Sequence, residues 1–70
     1  MQFIKIPSGP VINKAFIESI EYINLFDGKF RIKITMINHT VYTIDRDFEL
    51  DRDTIYKQII YDTSTLLEIK

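Results

Sequence analysis

The sequence predicts a small α+β domain, an antiparallel β-meander of three to five strands with one C-terminal helix packed on the sheet. Three observations predict it. From Lys29 to Ile37, Phe30, Ile32, Ile34 and Met36 share one parity and Lys29, Arg31, Lys33 and Thr35 the other, the period of a strand with one buried face and one wet face. Asp27-Gly28 stands between two apolar runs, a strong hairpin signal for a type I′ turn in which both residues take positive φ. Ile55, Tyr56, Ile59 and Ile60 then recur at helical spacing after a dense charge run.

A chain of 70 residues holds one domain, residues 1–70, with one modest core. Chains this small often add disulfides, a metal or self-association. The absence of cysteine removes disulfides and thiolate zinc, and one histidine builds no metal site, so self-association is the compensation left. Nine basic against ten acidic side chains exert no global pull toward nucleic acid or an anionic membrane. Met1–Ile6 is apolar but is broken at Pro7-Ser8-Gly9-Pro10, too short for a signal core or a membrane span. With no cysteine, this points to a cytoplasmic protein without membrane contact. The Ile, Lys, Asn and Asp usage fits an AT-rich genome, bacterial or phage, by compositional association.

In chain order, Gln2–Ile6 reads as a short strand, Pro7–Pro10 as a turn and Val11–Lys14 as a brief extended piece. Residues 15–26 mix both periods. β-branched and aromatic enrichment favours a strand over Ile17–Leu25, with a bulge near Glu18-Ser19 that moves the apolar parity from Ile17 to Ile20; a helix is the alternative. Asn38-His39 makes the next turn, with Asn38 entering the left-handed region, and Thr40–Asp45 returns as a strand. The helix is expected over Asp53–Tyr61, with Asp51 or Asp53 as its N-cap and Asp62-Thr63-Ser64 as its stop. Thr65–Ile69 is either a last strand or a frayed tail.

Candidate sites lie on the charges. Asp45, Asp47, Glu49, Asp51 and Asp53 alternate like calcium-loop ligands, but Leu50 replaces the required glycine and Tyr56 the closing glutamate. The run therefore reads as a solvated connection whose Arg46 and Arg52 pair with neighbouring acids, and as a contact surface for a protein partner. Lys29, Arg31 and Lys33 stand about 7 Å apart on the wet parity. Such a row either enters a nucleic-acid groove or pairs across strands with Glu18 and Glu21 and keeps one face wet. Neither His39, a lone turn residue, nor the exposed carboxylates form a prepared acid–base pair, and there is no phosphate loop or nucleophile elbow, so no enzyme and no cofactor are expected. Tyr22, Tyr42, Tyr56 and Tyr61 are candidate interface anchors.

The order Val11-Ile12-Asn13, Phe16-Ile17-Glu18-Ser19-Ile20-Glu21, Arg31-Ile32-Lys33-Ile34-Thr35 and Thr40-Val41-Tyr42-Thr43-Ile44 resembles small bacterial β-rich proteins of the FlbD-like type. The resemblance spans about two-thirds of the chain and implies a meander followed by a short helix; His39 stands where that pattern has glycine. It implies no activity. The functional expectation is a non-enzymatic protein-interaction module, such as a phage or mobile-element accessory that binds a host protein. Its rivals are a nucleic-acid binder using the basic strand and a structural homo-oligomer joined through a sheet edge.

Overall fold

The computed structural model describes all 70 residues. The chain runs β1 (Phe3–Lys5), β2 (Val11–Asn13), a 3-10 turn (Lys14–Phe16), β3 (Ile17–Asn24), β4 (Phe30–Met36), β5 (Val41–Arg46), α1 (Glu49–Tyr61) and β6 (Leu66–Glu68). The α+β class with a late helix packed on the sheet is present. The strands number six and divide between two sheets, ordered β2-β1-β6 and β3-β4-β5. Every pairing is antiparallel except β1 with β6, which is parallel, its crossover being everything from β2 to α1.

β4 is the central strand of the longer sheet, with Ile32 and Ile34 fully buried and Met36 nearly so. Its register sets Ile20 and Tyr42 beside Ile34, and Tyr22 and Ile44 beside Ile32. The 15–26 ambiguity resolves as a strand. The register shifts between Ile17 and Ser19, so Ile17 meets Met36 and Ile20 meets Ile34. Two apolar residues of opposite parity can share the core face only if one residue is bulged out between them, and Glu18 is that residue. Thr65–Ile69 also resolves: β6 carries buried Leu67, with Ile69 buried just beyond it. These join Ile4, Ile6, Ile12, Ile32, Ile34, Met36, Ile44, Ile55 and Ile59 in one core.

Both long hairpins use a different turn from the one expected. At the first, the Gly28 amide bonds the Leu25 carbonyl at 3.2 Å, the Leu25 amide bonds the Lys29 carbonyl at 2.8 Å, and only Gly28 has positive φ, at 82°. That is a three-residue loop closed by a left-handed residue, in place of a two-residue type I′ turn. The Asp27 carboxylate accepts the Lys29 amide at 3.1 Å, a local bond that holds Asp27 on the ordinary side of φ. The second hairpin repeats the design: Asn38 accepts the Thr40 amide at 3.0 Å, and His39, not Asn38, is left-handed at φ 72°.

The helix begins at Glu49, a turn earlier than expected, and neither Asp51 nor Asp53 caps it. Phe48 is the N-cap, without a side-chain bond, and its carbonyl accepts the Arg52 amide at 3.2 Å. Starting there puts Arg52 on the same stripe as Ile55, Tyr56 and Ile59, facing the sheet. Glu49 and Asp51 in the first turn favour the positive end of the helix dipole. At the other end Asp62 stops the helix. Its amide bonds Gln58, and its carboxylate accepts the Ser64 amide at 2.7 Å.

The two turns differ in one respect that stability measurements can read. Replacing His39 by Gly relieves a left-handed side chain and is expected to raise urea stability by up to about 1 kcal/mol. Nothing lies within 4 Å of where a Gly28 Cβ would sit. Gly28→Ala should therefore cost about 1 kcal/mol through its backbone alone.

Candidate interaction site

Arg52 is the one charged residue in the interior, 2 % exposed. Its Nε donates to Asp53 at 2.7 Å, and Nη1 donates to the Ile23 carbonyl at 3.2 Å and the Asn24 side chain at 2.9 Å. Nη2 faces Glu49 at 3.8 Å. The Tyr22 and Phe30 rings hold the guanidinium at 5.2 and 5.3 Å, and Tyr56 meets Tyr22 edge to face at 5.1 Å. Burial is tolerated because the charge is paired and its donors are mostly spent. The arginine thus ties the first turn of α1 to the end of β3. Around it Tyr22, Asn24, Glu49, Asp53, Tyr56 and Lys57 line an open hollow of about 380 Å³.

The acidic run and the basic row are not two separate surfaces. Asp45 lies inside β5, directly opposite Arg31, and the pair is bidentate at 2.7 and 2.9 Å. Lys29 bonds Asp47. The cross-strand partners are therefore Asp45 and Asp47 instead of Glu18 and Glu21; Glu21 is in register with Lys33 but makes no ion pair with it. Hydrogen bonding to Arg31 holds the Asp45 carboxyl below the usual carboxylate value, and the same bond raises Arg31. Bonding to Asp47 raises Lys29. Arg46 pairs with no acid and donates to the carbonyls of Asp45 and Lys70.

Of the expected site residues, Asp45, Asp47, Lys29 and Arg31 are consumed in pairs, Asp53 and Glu49 attend Arg52, and Asp51 and Lys33 make no ion pair. No three His, Asp or Glu side chains converge as a metal site. The sequence reads Arg52 as a solvated charge paired with neighbouring acids; it does pair with Asp53 and Glu49, but it is buried. The available signal was its spacing, three before Ile55 and seven before Ile59.

Large apolar side chains stay in water at both ends of the longer sheet. Beyond the Asn24–Phe30–Arg46 row stand Phe26, fully exposed, with Phe48 and Leu50 at 68 and 77 %. At the opposite end Phe16, Met36, Ile37, Asn38 and Tyr42 line a mostly apolar hollow of about 270 Å³. No helix is long and apolar enough to cross a membrane. Compared with protein-family models, curated proteins and solved structures, the chain matches none.

Arg52→Met keeps the stem and removes the donors to the Ile23 carbonyl, the Asn24 side chain and Asp53. Chemical denaturation should show a loss of about 2–3 kcal/mol, and Arg52→Lys should recover little of it because an ammonium cannot reproduce the fork. Asp45 has a lowered pKa, so its contribution is present above the ordinary value of 3.8 and is lost as pH falls through the folded value. Asp45→Asn should flatten that acid limb slightly in a pH-stability profile, because the pair is more than a third exposed.

Proposed function

We propose that this chain is a non-enzymatic protein-interaction module, a cytoplasmic accessory of a bacterium or its phage. It engages a basic segment of a protein partner at the end where α1 starts. The observation that carries this reading is the exposure of Phe26 and Leu50 at one end of the sheet, among carboxylates. Arg52 bonds Ile23 and Asn24, which sets the first helical turn, with Leu50, over the same end of β3 as the Phe26 turn. Asp27 and Asp51, which make no ion pair, belong to that end together with Asp47, Glu49 and Asp53, among Lys29, Arg46, Arg52 and Lys57. Apolar anchors with a charged rim are the anatomy of a protein contact, and the unpaired Asp27 and Asp51 favour a basic partner.

Nucleic-acid binding through the basic strand has less support. Lys29 and Arg31 are neutralised by Asp47 and Asp45, and a phosphate backbone would have to displace both acids.

The test is crosslinked capture from the native host with quantitative mass spectrometry. A true partner is retained by wild type and Lys33→Glu and falls at least about tenfold with Phe26→Asp and with Leu50→Asp, the loss expected for one buried anchor. Partners indifferent to both anchor changes would remove this end as the contact.

A further inference from the structure

Four strand edges are left open by the two sheets, and three are protected. β2 and β6 are three residues long, and β2 is preceded by Pro10 and followed at once by the 3-10 turn. β3 is bulged at one end and carries exposed Glu18 and Glu21. β5 has six residues, no proline, no bulge and the β-branched run Val41, Thr43 and Ile44. An edge of that kind is a template for another strand.

Its geometry specifies how. The Met36 amide bonds the Thr40 carbonyl, so in the antiparallel alternation the even residues of β5 bond β4, and Val41, Thr43 and Asp45 aim their amides and carbonyls outward. We infer that a second copy of this chain pairs with this edge, β5 against β5 antiparallel about a two-fold axis at Thr43. This register overlaps the full strand. Thr43 meets Thr43 of the partner subunit, and Val41 meets the partner subunit's Asp45, so no like charges face each other. The Asp45 carbonyl already accepts Arg46 Nη1 at 3.0 Å and keeps a second lone pair for the partner amide.

A further match follows from the same register and was not used to choose it. Tyr42 meets the partner subunit's Ile44 on the core side, and the end of the partner subunit's β5 that leads to Phe48 lies toward the turn that holds Asn38. Asn38 borders the apolar hollow lined by Phe16, Met36, Ile37 and Tyr42. An exposed aromatic of each copy is thus brought toward the end of the sheet that holds the other's apolar hollow, at both ends of one symmetric contact. Phe26 and Leu50 remain outside it, so the dimer stands independently of the partner-binding reading.

The chain has no cysteine, so a single introduced one reports the register. Paired residues bonded to each other across antiparallel strands lie about 5.5 Å apart at Cα, within disulfide reach, whereas Val41 and its own copy would lie about 13 Å apart. Sedimentation equilibrium at millimolar protein is expected to show wild-type dimer. Thr43→Cys should oxidise to a covalent dimer at least tenfold faster than Val41→Cys or Asp45→Cys. Thr43→Pro removes an amide that does not serve β4, so it should be monomeric while amide spectra show the remaining fold intact. A monomeric wild type, equal crosslinking at all three positions, or a folded Thr43→Pro that still dimerises would each overturn the inference. Should Thr43→Pro unfold, the three cysteine rates decide alone.

Discussion

The two-faced character of β4 constrains nearly everything else. Ile32 and Ile34 are sealed on one side while Arg31 and Lys33 stay wet on the other, and a strand flanked on both sides cannot slip by one residue without reversing that division. β3 accommodates its mixed parity by bulging at Glu18, and β5 supplies Ile44 to the core and Asp45 to Arg31. The helix is placed against the same apolar face, with Ile55 and Ile59 buried. In a chain of 70 residues, a core of eleven buried side chains leaves little redundancy.

Arg52 shows what such a small core does with a charge. Its place on the helix stripe would suit an aliphatic residue, yet a guanidinium between Tyr22 and Phe30 reaches the Ile23 carbonyl and the Asn24 side chain, which a hydrocarbon cannot do. The bonds fix where α1 starts over the sheet, at a helix whose N-cap, Phe48, makes no side-chain bond. Asp53 and Glu49 are exposed enough to remain hydrated, so only the arginine bears the full desolvation cost. The interaction is one of placement as much as of stability.

Much of this fold was legible because its strongest signals are local. The meander follows from alternation along β4 and from Asx residues in both turns, and the bulge follows from Ile17 and Ile20 needing the same face. What was hidden depended on distant residues. β1 and β2 are legible as short extended pieces, but their pairing is not, and Phe3 meets Leu66 across the whole length of the meander and helix. The helix start was hidden because Asp51 and Asp53 look like caps, whereas a buried arginine does the positioning. Likewise the acidic run reads as one surface because sequence order places Asp45 beside Asp47, Glu49, Asp51 and Asp53, while the strand end at Arg46 separates Asp45 from the rest.

That separation decides what the surface can recognise. A charge locked in a cross-strand pair offers a partner only what is left after its mate is displaced, and the Arg31–Asp45 pair is bidentate. The middle of the wet face is therefore close to neutral and poorly suited to a polyanion. Beyond the strand end, Asp51 makes no ion pair and Glu49 only a loose one, beside apolar side chains that the core had no room to take. On the proposed reading, long-range attraction there would steer a basic partner, while affinity would come from covering Phe26 and Leu50. The β5 edge obeys a different rule, since its donors and acceptors are backbone groups indifferent to net charge. Two contacts of different chemistry can thus coexist on one small sheet because its ends, its face and its edge expose different atoms.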